Sequence, residues 1–333
     1  MKIKKLSILL AAIVTVSVLG ACSKDSSSTA LKDKKEIKIG VTQIVEHQAL
    51  DSAREGFIAA LKENGYEDGK NVKLDIQNAQ GDKVTAQTIA QKFVSDKEDL
   101  ILAISTDSSQ AAYNATKDIP ILITAVTDPV KAGVAKSLEK SETNVTGTSD
   151  DISIDKQFDL LKKLVPTAKK VGIIYNTSEV NAEIQIEKAK AAAPNFGLEI
   201  ITAGITSTND IPQTLNSLTS KIDVLYCPTD NMVVSATPII TEQCFKNNIP
   251  VIGSEKGQVE GGALATNGID YYKLGYQTGV SAVEVIKGKK PTEIPIKTLD
   301  DLTITINTDA AKKLNIKIPD ELKSAEMITG GVK

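Results

Sequence analysis

From Ile37 onward the chain alternates short β-rich runs with amphipathic helical stretches, and nothing else in it limits the possible folds so strongly. Ile37-Lys38-Ile39-Gly40-Val41 reads as a strand. Leu50 to Asn64 reads as a helix, with Leu50, Ala53, Phe57, Ala60 and Leu61 on one face and Gly65 as its stop. Val72 to Ile76, Leu100 to Ile104 and Ile119 to Ala125 are further strands, separated by helices near residues 84–94 and 109–116. Repeated β-α units bury both faces of a parallel sheet, so the pattern predicts an α/β fold.

The pattern then restarts. Val171 to Tyr175 is a strand, Glu179 to Ala193 a helix and Leu198 to Thr202 a second strand, in the order already seen at Ile37–Val41, Leu50–Asn64 and Val72–Ile76. This predicts two similar doubly wound lobes, and 333 residues suffice for two units of roughly 100–200 each. The Thr/Ser/Gly segment Asn144 to Ser149 suits a hinge between them. A strong amphipathic helix, Tyr272 to Lys287, is closed by Gly288, and the extended Leu302–Ile306 then lets the chain cross back. The expected division is 36–147 with 269–290 in the first lobe, and 148–268 with 291–333 in the second.

The first residues read as a leader. Lys2, Lys4 and Lys5 precede a short apolar stretch, Leu6 to Leu19, which falls short of the roughly 20 apolar residues that a spanning helix needs. It ends in Leu19-Gly20-Ala21-Cys22, which resembles a bacterial lipobox. Residues 1–21 are therefore expected to be a lipoprotein signal peptide, with Cys22 as the lipidated residue. The polar run 22–35 is expected to be a flexible tether. The folded part would then be exported, membrane-anchored through lipid, and extracytoplasmic. Cys227 and Cys244 fall on a strand and the helix after it; apolar core thiols are the simpler reading, with a disulfide as the alternative.

Composition removes several functions. Net charge is −3 and no basic block occurs, which disfavours nucleic acid and anionic membrane surfaces as partners. The single histidine, His47, rules out His-rich metal sites and leaves a serine or cysteine hydrolase one base of the usual type. No Gly-x-Ser-x-Gly elbow occurs, and Gly253-Ser254-Glu255-Lys256-Gly257 has its serine in the wrong register. No Gly-x-Gly-x-x-Gly follows the first strand either. A binding module without catalysis, cofactor or metal, acting as a monomer, is the expectation.

Ligands of open parallel sheets sit beyond the carboxyl ends of the strands. The loops there are unusually polar: Gln43, Ile44, Val45 and Glu46 beside His47; Thr106, Ser108 and Ser109; Thr127 and Asp128; Tyr175, Asn176, Ser178, Glu179 and Asn181; Thr229, Asp230 and Asn231. Taken singly, helix capping is the simpler role for Ser108, Ser109, Asp128 and Asp230. Together, polar loops converging on one crevice form a candidate small-molecule site. Hydroxyls at a helix N-terminus suit a carboxylate, and Glu179 with Asp230 suit an ammonium group. A zwitterionic amino acid satisfies both; a sugar is the competing ligand, though without tryptophan a stacking platform is scarce.

The stretch Val41-Thr42-Gln43-Ile44-Val45-Glu46-His47-Gln48-Ala49-Leu50-Asp51, continuing through Arg54 to Phe57, resembles the solute-binding lipoproteins of ABC transporters, in the branch associated with tryptophan and tyrosine uptake. The likeness extends through Asn78 to Asp82, Thr124 to Pro129, Asn144 to Gly147, Tyr175 to Asn181, Pro228 to Asn231 and Ile269 to Gly275. It implies a type I periplasmic-binding-protein fold, two Rossmann-like lobes closing on a ligand that is delivered to a permease–ATPase complex. It adds Asp270 and Tyr271, near a crossover, to the site. It also points to an aromatic amino acid, held against Ile44, Val45, Tyr175 and Tyr271. Gln48 stands where the family commonly has proline, Ser108 and Ser109 where it has small apolar residues, and Ala182 where it has serine.

Overall fold

The computed structural model describes residues 31–299 and 302–332. The leader, Cys22 and most of the tether lie outside the described residues. In chain order the elements are β1 (Ile37–Gln43), α1 (Gln48–Glu63), β2 (Val72–Asn78), α2 (Lys83–Ser95), β3 (Leu100–Ile104), α3 (Thr106–Ala115), β4 (Ile121–Thr124) and β5 (Val145–Ser149). There follow α4 (Ile154–Leu164), β6 (Lys170–Asn176), α5 (Val180–Ala192), β7 (Glu199–Ile205), α6 (Ile211–Thr219), β8 (Val224–Cys227), α7 (Asn231–Ser235), α8 (Thr237–Lys246), β9 (Val251–Gly253), α9 (Lys256–Glu260) and β10 (Ala265–Gly268). The chain ends with α10 (Tyr271–Ile286), β11 (Lys297–Thr298), β12 (Thr303–Asn307), α11 (Thr308–Lys313) and β13 (Glu326–Ile328).

Two sheets result, with strand orders β11-β5-β4-β3-β1-β2 and β13-β12-β10-β9-β8-β6-β7. All pairings are parallel except β10 with β12. The strand positions follow from the residues. Leu100-Ile101-Leu102-Ala103-Ile104 is apolar throughout, and as β3 it is buried on both faces near the middle of its sheet. At the edge, β2 leaves Ile76 45% exposed.

The chain passes between the lobes three times: after β5, after β10, and between β11 and β12. This corrects the expected division. β5 belongs wholly to the first sheet, so the first crossing begins at Asp150 and not within 144–149. β11 pairs with β5, so the first lobe runs on to Thr298 where 290 was expected. The expected tether also ends early. Leu31 packs against the first core and Lys34 pairs with Asp99, so the chain is docked from Leu31 onward.

Helix α10 returns to the first lobe and lies on α1 with almost no side chain between them. A Cβ on Gly275 would overlap the Ala53 carbonyl, and one on Gly56 would overlap the Tyr272 carbonyl. Only glycine permits that backbone approach.

In the second lobe, Cys227 and Cys244 are free and buried, the apolar-core reading. Burial pushes the Cys244 thiol up to about 12 and the Cys227 thiol well above its ordinary value. Iodoacetamide at mildly alkaline pH is expected to label neither in the native protein and both after unfolding, as mass spectrometry would show.

Candidate ligand-binding site

The carboxyl ends of both sheets face one another, and their loops touch. Lys83 Nζ donates to the Ser178 carbonyl at 2.7 Å, and Lys131 pairs with Glu187 at 2.9 Å. Thr127 Oγ1 lies 3.5 Å from Thr229 Oγ1, and His47 Nε2 lies 3.3 Å from Asn231 Oδ1. Gln48 bonds Glu260 across the same gap. The lobes are closed.

Between them lies a small inner cavity of about 10 Å³. Its first-lobe wall is His47, Ala49, Leu50 and Ala125; its second-lobe wall is Asn181, Thr229, Asn231, Val234 and Glu255. Asp150 and Tyr271 enter from two of the crossings. An outer cleft of about 370 Å³ includes Ile44, Val45, Lys83, Asp107, Asn176, Ser178, Glu179 and Met232, and Asn231 borders both spaces.

Six buried side-chain oxygens near these strand ends have no hydrogen-bond partner in the protein: Thr42 Oγ1, Ser105 Oγ, Thr106 Oγ1, Ser108 Oγ, Asp150 Oδ1 and Asn181 Oδ1. Three of them surround the N-terminus of α3, whose Ser105 supplies no side-chain cap. The backbone here is strained as well, with φ of 91° at Ser105 and 58° at Ala125, neither a glycine. Orphaned buried polar atoms and left-handed non-glycine residues each carry a free-energy cost, and such features cluster where a ligand is held.

Asp150 is 3% exposed, and burial raises its carboxyl to about 6. Tyr271 OH donates to its Oδ2 at 2.5 Å, leaving Oδ1 free. Burial, and after it the Asp150 charge, pushes the Tyr271 hydroxyl well above its ordinary value. Burial also raises Glu255 to about 7, although its oxygens cap α9 by accepting from Gly257 N and Gln258 N.

The model of the family described as ABC transporter substrate binding protein matches residues 38–328. The chain belongs to that family. It is 53% identical over 320 residues to a tyrosine-binding protein of Clostridioides difficile (strain R20291), covering 94% of this chain and 93% of that protein. The structure of an ABC domain from Streptococcus pneumoniae in complex with L-Trp superposes with a TM-score of 0.85 at 38% identity, covering 88% of this chain and all of that one. A ligand-free, open substrate binding protein with adhesive properties from Clostridium difficile gives 0.70 at 52% identity, covering 89% of this chain and all of that one. The relative closer in sequence is thus farther in shape, as expected when one pair of lobes is open and the other closed. The two α/β lobes are those of a type I periplasmic binding protein.

Within this substrate binding protein the residues singled out from sequence divide sharply. Asn181, Thr229, Asn231 and Tyr271 line the inner cavity, and Ile44, Val45, Asn176, Ser178 and Glu179 the outer cleft. Thr106, Ser108 and Thr127 are buried among the loops that meet there. Others are occupied elsewhere. Gln43 bonds the Val45 carbonyl, Asp51 and Arg54 within its own lobe. Ser109 Oγ donates back to the Ser105 carbonyl. Asp128 accepts from Val130 N and Lys131 N in a turn that does not become a helix, and Asp270 accepts from Lys273 N as the cap of α10. Glu46 is exposed and borders neither space, and Tyr175 lies beside Gly204 toward the sheet edge.

The expected ammonium partners are the main correction. Glu179 accepts from Asn231 N, Met232 N, Asn231 Nδ2 and Asn181 Nδ2, and Asp230 accepts from Asn176 N and Val233 N. Backbone N–H groups at the start of α7, joined by side-chain amides, take the place assigned to an external cation. Burial raises Asp230 to about 8, with the Glu179 charge adding to it. Thr42, Ser105 and Glu255 lie in strand-end loops that the sequence marks but were not singled out there, and Asp150 and Ala125 were missed. Asp150 was legible only as the first residue after β5, and β5 itself read as a hinge.

Proposed function

We infer that this substrate binding protein closes its lobes on a free aromatic amino acid, tyrosine or tryptophan, and hands it to an ABC permease. The observation that carries this reading is the cluster of unpartnered buried oxygens where the strand ends meet, two of them on Asp150 and Asn181, which line the inner cavity. In it, the free N–H groups and the Ser105, Thr106 and Ser108 hydroxyls at α3 receive the ligand carboxylate. Asp150, ionised by the incoming cation, receives the ammonium through its free Oδ1. Ala49, Leu50, Ala125 and Val234 supply apolar wall, and Tyr271 the one ring. Binding favours the closed state because both lobes must contribute contacts. Two relatives support the ligand class: the tyrosine-binding protein and the structure with L-Trp bound.

The lobes bind without catalysis, and the protein works as a monomer anchored by diacylglycerol on Cys22. Replacing Cys22 with serine is expected to move the protein from the membrane fraction into the medium or periplasm. Calorimetry with L-tyrosine, L-tryptophan, L-phenylalanine, L-leucine and ribose tests the ligand. Tight one-to-one binding of tyrosine or tryptophan, with leucine and ribose much weaker, is expected; equal heats from leucine would sink the aromatic assignment.

A further inference from the structure

The chain's single histidine joins the two lobes. His47 caps α1, its Nδ1 accepting from Leu50 N at 3.5 Å, so the ring proton resides on Nε2, which donates to Asn231 Oδ1 at 3.3 Å. The orientation of Asn231 is fixed from its other side. Its Nδ2 and its backbone N both donate to Glu179, at 2.7 and 2.9 Å, so the Oδ1 must face the imidazole. One tautomer of the neutral ring satisfies every group. A proton on Nδ1 would set two donors, Nδ1–H and Leu50 N–H, against each other.

We propose that His47 is a positioning residue for ligand capture, a neutral-imidazole latch on Asn231 that holds the lobes shut and lets go in mild acid. This rests on the lobe-closing function inferred above. The charged groups facing the ring are Asp51 on its own helix, itself paired with Arg54, and Glu179 across the gap; Asp150, Glu255 and Tyr271 line the same cavity. The bond to Asn231, which a charged ring would keep, and after it those acids favour protonation, but burial opposes it more strongly, and the imidazole lies below its ordinary value.

Opening draws Asn231 away and returns the ring to water, where it titrates near 6.5. The closed state therefore holds fewer protons at His47, and closure weakens as pH falls through the ordinary histidine range. Asp150 and Glu255 act with the opposite sign, because burial raises them and closure takes up protons there. The latch is read as the difference between wild type and variant.

L-Tyrosine and L-tryptophan are titrated into wild type, His47→Gln, His47→Ala and Asn231→Ala between about pH 5 and pH 8. Relative to His47→Gln, wild type should lose up to about tenfold in affinity per pH unit in the acid range, the limit for one proton. At neutral pH the glutamine amide, still a donor to Asn231, should recover most of the affinity lost in His47→Ala. Parallel pH profiles for wild type and His47→Gln overturn the latch. If neither amino acid binds wild type at any pH, the function inferred above fails instead. The latch is then read from small-angle scattering of the unliganded proteins: wild type should expand in acid more than His47→Gln, and equal expansion overturns it.

Discussion

Replacing Asp150 with asparagine is expected to raise the dissociation constant for tyrosine or tryptophan at least about a hundredfold while leaving the fold intact. The side chain is buried, one oxygen is bonded by Tyr271 and the other has no partner. An ammonium ligand that loses a directly facing buried counter-charge keeps its desolvation penalty, and truncating such a pair costs about 2–5 kcal/mol. At about 1.4 kcal/mol per tenfold, a hundredfold loss is about 2.8 kcal/mol, which lies within that range. Stability should move the other way. A carboxyl raised to about 6 by burial is a strained group in the unliganded protein, and the amide removes the charge at little change in volume. The melting temperature of ligand-free Asp150→Asn should therefore equal or exceed that of wild type. Tyr271→Phe should weaken binding by only about tenfold, since the ring stays and a single hydrogen bond is lost. Asparagine binding within threefold of wild type would show that Asp150 is not the ammonium partner.

The second large effect concerns stability. Gly275→Leu is expected to destabilise the protein by about 3 kcal/mol or more, read as a lower urea midpoint. The new side chain would begin inside the Ala53 carbonyl, so α10 must lift from α1 along the contact that also involves Gly56 and Gly279. Overpacking of this kind cannot be relieved by a rotamer change, because the obstacle is backbone. Tyr272, three positions away but 43% exposed, is the control: Tyr272→Leu should change stability by no more than about 0.5 kcal/mol.

The α/β architecture was legible because β1, β3, β6 and α1 carry their periodicity in apolar residues. The lobe boundary was not, because β5 is Val145-Thr146-Gly147-Thr148-Ser149. Its hydroxyls are satisfied inside the fold: Thr146 Oγ1 donates to the Ile294 carbonyl, and Thr148 Oγ1 meets Thr278 Oγ1 at 2.7 Å. A buried strand made polar in this way has the composition of a loop, and β11, of two residues, has no pattern at all. The site loops were found by their position after strands. Their roles were not, since whether an acidic side chain meets a ligand or a helix end depends on helices as short as α7. Capping by Asp230 was legible as its simpler role, and it holds; that Glu179, far off in sequence, would also accept N–H groups at the start of α7 had no local signal. Asp150, the acid that remains free, drew no notice because it follows a strand that did not look like one.

The return of α10 to α1 also sets the order in which the molecule can be completed during synthesis. The first lobe's helix α1 is among the earliest elements made, yet the partner that covers it begins at Tyr271, after the whole stretch from α4 to β10. Until then Phe57, Ala60 and Leu61 on the nascent chain lack that cover. A polypeptide cut after Gly268 would keep most of the second sheet but leave the first lobe unsealed, prone to aggregate and without a finished cleft. The earliest-made half of the molecule is thus among the last to become native.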